Sequence, residues 1–298
     1  MENVVEGMLH LDAEAEKERI LRFIQEYVSP DDVVAIAVSG GMDSDLVARL
    51  CCESLGKDRV RLFIVVQDEM ESKFLKNARN LAEDLDVSLA EIHLEKANHT
   101  LIAALECGEH GHIFRTDKEL DTAKAKCSVR SSVISCYQDK GFLIAGTTNR
   151  SEKELGFFLT FGDNICHFKP ISHLYKSQLY AIAELVGTRQ EVICQESSAG
   201  FWPGQTDRED LAYWIVNDGP IIYPRDFSNE ENSTVQQIQS ALSYVKIDMF
   251  LMLYSTGMSP SAISGKIDLD SRITEGLAHI VEKAKRLKSR PILVEIQI

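Results

Sequence analysis

No C-x-x-C pair occurs among the seven cysteines of this 298-residue chain, which are Cys51, Cys52, Cys107, Cys127, Cys136, Cys166 and Cys194. An odd number of thiols scattered through apparent helices and strands argues against a disulfide framework and against a paired-cysteine zinc site. Most are expected to be buried thiols rather than catalytic or metal-binding ones. Basic residues are in the minority, with 32 Lys and Arg against 46 Asp and Glu and a net charge of -14. A nucleic-acid partner held by a general basic surface is therefore not expected, although a nucleotide site could still carry a local basic patch. No apolar run approaches the ~20 residues that span a bilayer, and Met1-Glu2-Asn3-Val4-Val5-Glu6 lacks the basic start and apolar core of a secretory signal. A cytoplasmic location with no membrane partner is expected. Also missing are the G-x-x-x-x-G-K-[ST] loop and the G-x-G-x-x-G fingerprint, the common ways of holding phosphate after a strand.

What is present is the composition of a soluble globular protein, 44% hydrophobic and 26% charged, with enough apolar material for a sizeable core. Residues 14–28 place Ile20, Leu21, Phe23, Ile24 and Val28 near one helical face. Val33–Val38 is a short, β-branched apolar run suited to a strand covered on both faces, and the helical spacing of Leu46, Val47, Leu50 and Cys51 follows it. The alternation continues with strands at Val60–Val66, Val87–Leu94 and Phe142–Ala145, a helix over Glu71–Asp84 and two further helical stretches before the last strand. Such alternation predicts an α/β fold in which a parallel sheet is flanked by helices on both faces. Beyond residue 170 the pattern is helical: Lys176–Val186, then about Glu231–Ser255 and Ser271–Leu287, with a loop over Ser197–Gln205. One domain over 1–298 is expected, with a mobile insertion around 213–241 that contains Pro220 and Pro224.

The sharpest local signal is Ser39-Gly40-Gly41-Met42-Asp43-Ser44, between the first strand and its helix. Glycines let backbone approach a phosphate, and a helix N-terminus offers free N–H groups and a positive dipole end. Ser39 and Ser44 add hydroxyl donors. Asp43 would repel phosphate unless a cation lay between them, which points to Mg²⁺. The plainer alternative is a tight turn followed by a helix cap. The string resembles the PP-loop of the ATP pyrophosphatases, which cleave ATP between its α and β phosphates and adenylate an acceptor.

A second constellation follows the strand Phe142–Ala145: Gly146-Thr147-Thr148-Asn149-Arg150-Ser151-Glu152, Phe161-Gly162-Asp163, Lys169-Pro170-Ile171 and Leu174-Tyr175-Lys176. The C-terminal ends of parallel strands share one rim, so Glu152 and Asp43 could share one Mg²⁺. Singly, Glu152 would more often be a solvated helix carboxylate and Lys176 a surface lysine. Together with Phe201-Trp202-Pro203-Gly204-Gln205-Thr206-Asp207, the run resembles NAD synthetase over roughly residues 15–211, and again near 247–291.

That resemblance implies an adenine nucleotide alpha hydrolase-like fold and a homodimer. It implies adenylation of the acid group of deamido-NAD by Mg-ATP, release of pyrophosphate, and attack of ammonia to form the amide. Carried onto matching positions, Ser39, Gly40, Gly41, Asp43, Ser44, Thr147, Lys176 and Thr206 would hold ATP and pyrophosphate. Asp43 and Glu152 would bind the metal, and Asp43, Lys176 and Thr206 would act in catalysis. Lys126, Asp163 and Lys169 would meet the acceptor. The 203–207 loop would close over the site, protecting the adenylate from water.

Departures from the family pattern fall on the acceptor side. Asn164, Ile165 and His167 stand where two glycines and an aspartate are usual, and Ala125-Lys126-Cys127-Ser128 replaces an A-R-x-R pattern. Lysine cannot reproduce the planar fork of arginine. An amide ligase for another carboxylic acid is thus the alternative, as is a non-catalytic ATP-binding relative. A tRNA-thiolating enzyme would be expected to show paired cysteines and a basic surface. The length leaves no room for an added nitrilase-like glutaminase, so free ammonia or a separate ammonia donor is implied. His167 and His173 are expected to be packing or surface residues.

Overall fold

The computed structural model describes Gly7 and residues 9–287, except 110, 112 and 163. The Gly-Gly turn after the first strand, the site's chief sequence signal, lies where a four-stranded parallel sheet changes winding direction. The strands are β1 (Val34–Ala37), β2 (Val60–Val66), β3 (Leu89–His93) and β4 (Leu143–Ile144), in the order β3-β2-β1-β4. Val34 pairs with Val60 on one side and with Leu143 on the other, so β1 is central.

Side-chain alternation divides each strand between two cores. Val34 and Ile36 of β1 and Val60, Leu62 and Ile64 of β2 face a layer built from α1 (Ala13–Tyr27), α2 (Met42–Leu55), α3 (Ser72–Leu85) and later α7 (Lys176–Leu185). Ala35, Phe63, Val65 and Ile144 face the other way. There α5 (Glu119–Asp139) covers the sheet, α4 (Ala97–Gly108) packs against α5, and Phe63 stacks on Tyr137 with ring centroids 4.1 Å apart. The fold is α/β, with helices on both faces, as the alternation predicts.

A third core belongs to the helical C-terminal part. It gathers α6 (Arg150–Leu155), α9 (Asp207–Val216), α10 (Asn229–Ala241), α11 (Tyr244–Ser255), α12 (Pro260–Ile267) and α13 (Ser271–Leu287); the short α8 (Gln190–Ile193) packs with the first core. The stretch expected as one helix over 231–255 is two, because the Ser243 hydroxyl accepts from the Lys246 amide and starts a new helix. Within 213–241, residues 213–216 finish α9 and 229–241 form α10, whose Val235 and Ile238 are buried. Of the seven cysteines only Cys51 is buried, and Cys107, Cys136 and Cys194 are exposed, contrary to the expectation of mostly buried thiols. No helix of the described residues is long and apolar enough to cross a membrane.

Candidate active site

The strand order places the switch point between β1 and β4, and the crevice beyond their C-terminal ends is where open α/β sheets bind ligands. Ser39–Ser44 leaves β1 on one side of it and Gly146–Asn149 leaves β4 on the other.

Gly40 sits at φ +76°, and a Cβ there would lie 2.1 Å from the Phe74 carbonyl oxygen, so only glycine fits. The turn is braced from within: the Ser39 amide donates to Ser44 Oγ at 3.0 Å, and the Ser44 hydroxyl donates to the Gly41 carbonyl at 3.1 Å. No side chain caps α2 at Gly41. Its first-turn N–H groups are therefore available to an anion, with exposed Ser39 beside them.

On the facing loop, Asn149 and Glu152 form a capping box. The Glu152 amide donates to Asn149 Oδ1 at 2.9 Å, and the Asn149 amide donates to Glu152 Oε2 at 3.1 Å. Asn149 Nδ2 then reaches Asp43 Oδ2 at 3.1 Å, joining the two loops across the crevice. Lys176, at the first position of α7, is 2% exposed and holds Asp43 Oδ1 at 2.6 Å. The plain reading of each residue taken alone, a solvated Glu152 and a surface Lys176, does not hold: long-range packing buries Lys176 and leaves Glu152 half-buried beside it in the crevice.

Three carboxylates surround this one ammonium. Desolvation pushes Glu152 well above the usual carboxylate range, Asp43 adds to the rise, and Lys176 opposes it. Asp207 is also raised, chiefly by desolvation, and the Tyr244 hydroxyl donates to its Oδ2 at 3.1 Å. For Lys176, desolvation favours the neutral amine, but Asp43 and Glu152 win and its pKa is raised.

Thr206 caps α9. Its oxygen accepts from the Glu209 amide at 3.2 Å and from Gln239 Nε2 at 3.3 Å. With both lone pairs engaged, the hydroxyl proton is left to donate. Thr147, partly buried, follows β4.

The loop before Thr206 is clamped to α5 and to the segment that leaves β2. Lys126, 1% exposed, donates to Glu69 Oε2 at 2.9 Å and to the Phe201 carbonyl. Arg130 donates to Gln67 Oε1 at 2.7 Å and to the Ala199 carbonyl at 3.1 Å. Between this loop and β1 lies a cleft of about 90 Å³ lined by Ser39, Phe74, Arg130 and Ser198 to Gly200. Lys169 donates to Asn164 Oδ1 and lies 5.7 Å from the Phe158 ring centroid. Asp163 falls outside the described residues. His167 serves the sheet, its Nδ1 accepting from the Ile144 amide at 2.8 Å, while His173 contacts Glu16 at 2.5 Å.

Asn149 and Asp207 stand in the motif runs of the sequence but were given no role of their own, and Tyr244 and Arg130 went unrecognised. Asn149 also had a legible signal in the N-x-x-E spacing of a capping box; Tyr244 and Arg130 had none.

Among the described residues no group of three His, Cys, Asp or Glu side chains could cage an ion by itself. The donor set nevertheless fits Mg²⁺, which is held by one or two carboxylates together with water and substrate phosphates. Hard oxygen ligands stand at Asp43 and Glu152, and three carboxylates outnumber the single Lys176.

A model of the NAD synthase family matches residues 16–240. The NH(3)-dependent NAD(+) synthetase of Methanocaldococcus jannaschii is 26% identical over 281 residues, covering 93% of this chain and 95% of that protein. The protein of the same name from Archaeoglobus fulgidus is 33% identical over 199 residues, covering 65% and 76%. Among solved structures, NMN synthetase from Francisella tularensis superposes with a TM-score of 0.72 at 18% identity, covering 97% of this chain and 100% of that one. An NH3-dependent NAD synthetase from Campylobacter jejuni gives 0.66 at 24% identity, covering 96% and 100%. At those identities the two structures establish likeness of fold.

Proposed function

This chain belongs to the NAD synthase family, and on that premise we propose that it adenylates the carboxylate of deamido-NAD with ATP and passes the acyl group to ammonia. The carboxylate oxygen attacks the α-phosphorus, pyrophosphate leaves, and ammonia then displaces AMP from the acyl-adenylate to give the amide. The observation that carries this reading is the Lys176–Asp43 pair at 2.6 Å, set between a PP-loop and two further carboxylates at the switch point.

Each residue's part follows from its chemistry. The free N–H groups at the start of α2, the Ser39 hydroxyl and the backbone of Gly40 and Gly41 would take the leaving pyrophosphate, and the Ser44 hydroxyl would join them on turning from the Gly41 carbonyl it now bonds. Lys176 stays charged and would offset the charge that develops as the bond breaks. Thr206 would donate its hydroxyl proton to a phosphate oxygen, and Thr147 would contact ATP from the facing loop. Asp43 and Glu152 would hold Mg²⁺, which supplies charge neutralisation on the phosphates when bound. The cleft beside Arg130 suits the rest of the nucleotide, beneath the clamped 198–205 loop.

Lys126, Asp163 and Lys169 are proposed for the acceptor, although the Lys126 ammonium is engaged by Glu69 and Phe201 with the loop in this position. The curated relatives carry NH(3) in their names, which supports ammonia as the nitrogen source and does not favour another acceptor acid. A homodimer working in the cytoplasm completes the proposal.

The test is pyrophosphate release from Mg-ATP with ammonia and deamido-NAD, followed together with NAD formation. Coupled appearance of both products is expected. Pyrophosphate release with another acid and none with deamido-NAD would overturn the choice of acceptor.

A further inference from the structure

Lys176 cannot set its own position: its ammonium reaches Asp43 only if the start of α7 is fixed against α6. Beside the Arg150 amide's bond to the Leu174 carbonyl at 2.8 Å, two side chains contribute to the fixing. The Ser151 hydroxyl oxygen accepts from the Lys176 amide at 2.9 Å, and that hydroxyl donates to Asp248 Oδ1 at 2.5 Å. Asp248 Oδ2 accepts from the Ser177 amide at 2.7 Å. One carboxylate on α11 thus grips the residue before Glu152 and the first turn of α7. Asp248 is 0% exposed, and among the described residues no Lys, Arg or His side chain is bonded to it.

We infer that Asp248, acting through Ser151 and the first-turn amides of α7, is a positioning residue for Lys176 in the adenylation step. The inference rests on the proposed reaction and adds a residue that does not touch substrate. A buried acid without a cationic partner is an expensive way to terminate a helix, since leucine or alanine could fill a core position there. Its two oxygens instead satisfy two donors on two different elements, and the elements bear Glu152 and Lys176. It also links the helical C-terminal core to the rim of the sheet, because its helix neighbours Ile247 and Met249 are buried in that core.

The groups around Asp248 define the variants. Asn at 248 can keep both contacts, with its oxygen accepting from the Ser177 amide and its nitrogen donating to Ser151 Oγ. Ala keeps neither. The experiment compares wild type, Asp248→Ala, Asp248→Asn and Ser151→Ala for kcat and for KM toward Mg-ATP, each also in a Lys176→Met background. Asp248→Ala is expected to lower kcat by about 10- to 100-fold, the scale of a slightly misplaced reacting group, with KM changed far less. Asp248→Asn should recover to within about fivefold of wild type. In the Lys176→Met background Asp248→Ala should cost almost nothing further, because the residue acts through Lys176.

Wild-type kcat in Asp248→Ala, or its full penalty persisting without Lys176, overturns the inference. Should Asp248→Ala fail to fold, Ser151→Ala decides: a drop in kcat that disappears in the Lys176→Met background supports it, and an unchanged kcat sinks it. A wild type inactive with deamido-NAD would instead be a failure of the proposed reaction, and the two failures are read in different arms.

Discussion

Lys176 and Asp43 meet at 2.6 Å although 133 residues separate them, and the contact crosses from the start of α7 to the first turn of α2. Asn149 takes the other oxygen of Asp43, so both oxygens of this carboxylate are held.

Asp43→Asn should therefore keep the fold and lose the chemistry. The amide retains the shape but only one of the two contacts, since its single oxygen can accept from Lys176 or from Asn149 and not from both, and it lacks the negative charge that a cation requires. Pyrophosphate release at saturating Mg²⁺ should fall by about 10²- to 10³-fold, comparable to removing one preorganised electrostatic group. Wild-type rates in this variant would remove Asp43 from the mechanism.

The surplus of carboxylates makes a second prediction. With Asp43, Glu152 and Asp207 around one ammonium, Mg²⁺ should raise the melting temperature by linkage, since it binds the folded site and not the unfolded chain. The rise should shrink in Glu152→Gln. Equal responses to Mg²⁺ in wild type and variant, measured by calorimetry without nucleotide, would argue that Glu152 is no ligand.

Gly40→Ala brings a methyl group against the backbone of Phe74, at a φ of +76°. Relief requires the PP-loop or α3 to move. A loss of about 1–3 kcal/mol in urea unfolding is expected, together with weaker pyrophosphate binding. Gly41, with only the Ser39 side chain near its would-be Cβ at 3.3 Å, should tolerate Ala with less loss of stability.

Asp210 offers a pH test. Burial, then Asp207, pushes its carboxyl up to about 7, against the opposing hydrogen bond from Gln205. Between the ordinary aspartate pKa near 4 and this value the folded chain binds more protons than the unfolded one. This group's contribution to stability is thus greatest below pH 4, falls as pH rises to about 7, and is flat above. Asp210→Asn removes the slope and should be more stable than wild type at pH 8 relative to pH 5. Parallel unfolding curves for the two proteins at both pH values would refute this.

Much of the frame was legible in the residues. Val60–Val66 and Ser271–Leu287 have the bounds their patterns predict, because an unbroken β-branched run and a long amphipathic period leave few other conformations. The PP-loop was legible for the same local reason: Gly40 answers a backbone demand that no other residue meets. The remainder of the site is non-local. Tyr244 and Asp248 are ordinary polar residues on a helix until the third core packs against the rim, and nothing in a residue's type announces that it will be buried. Lys126 is the converse case, a lysine read for its charge toward a ligand that here spends its hydrogen bonds holding the loop at Phe201. The break at Ser243 was written locally as a cap three residues before Lys246 and was masked by the apolar pattern on both sides.

The order of the elements has a consequence for the chain as it is made. Synthesis delivers β1, the PP-loop and Asp43 first, while the lysine that answers Asp43 follows 133 residues later and the acid that steadies that lysine comes later still, on α11. A growing polypeptide therefore carries a phosphate-shaped turn with no cation of its own to draw a nucleotide in. Competence to use ATP therefore waits for the docking of α7 and α11, well after the PP-loop has been made.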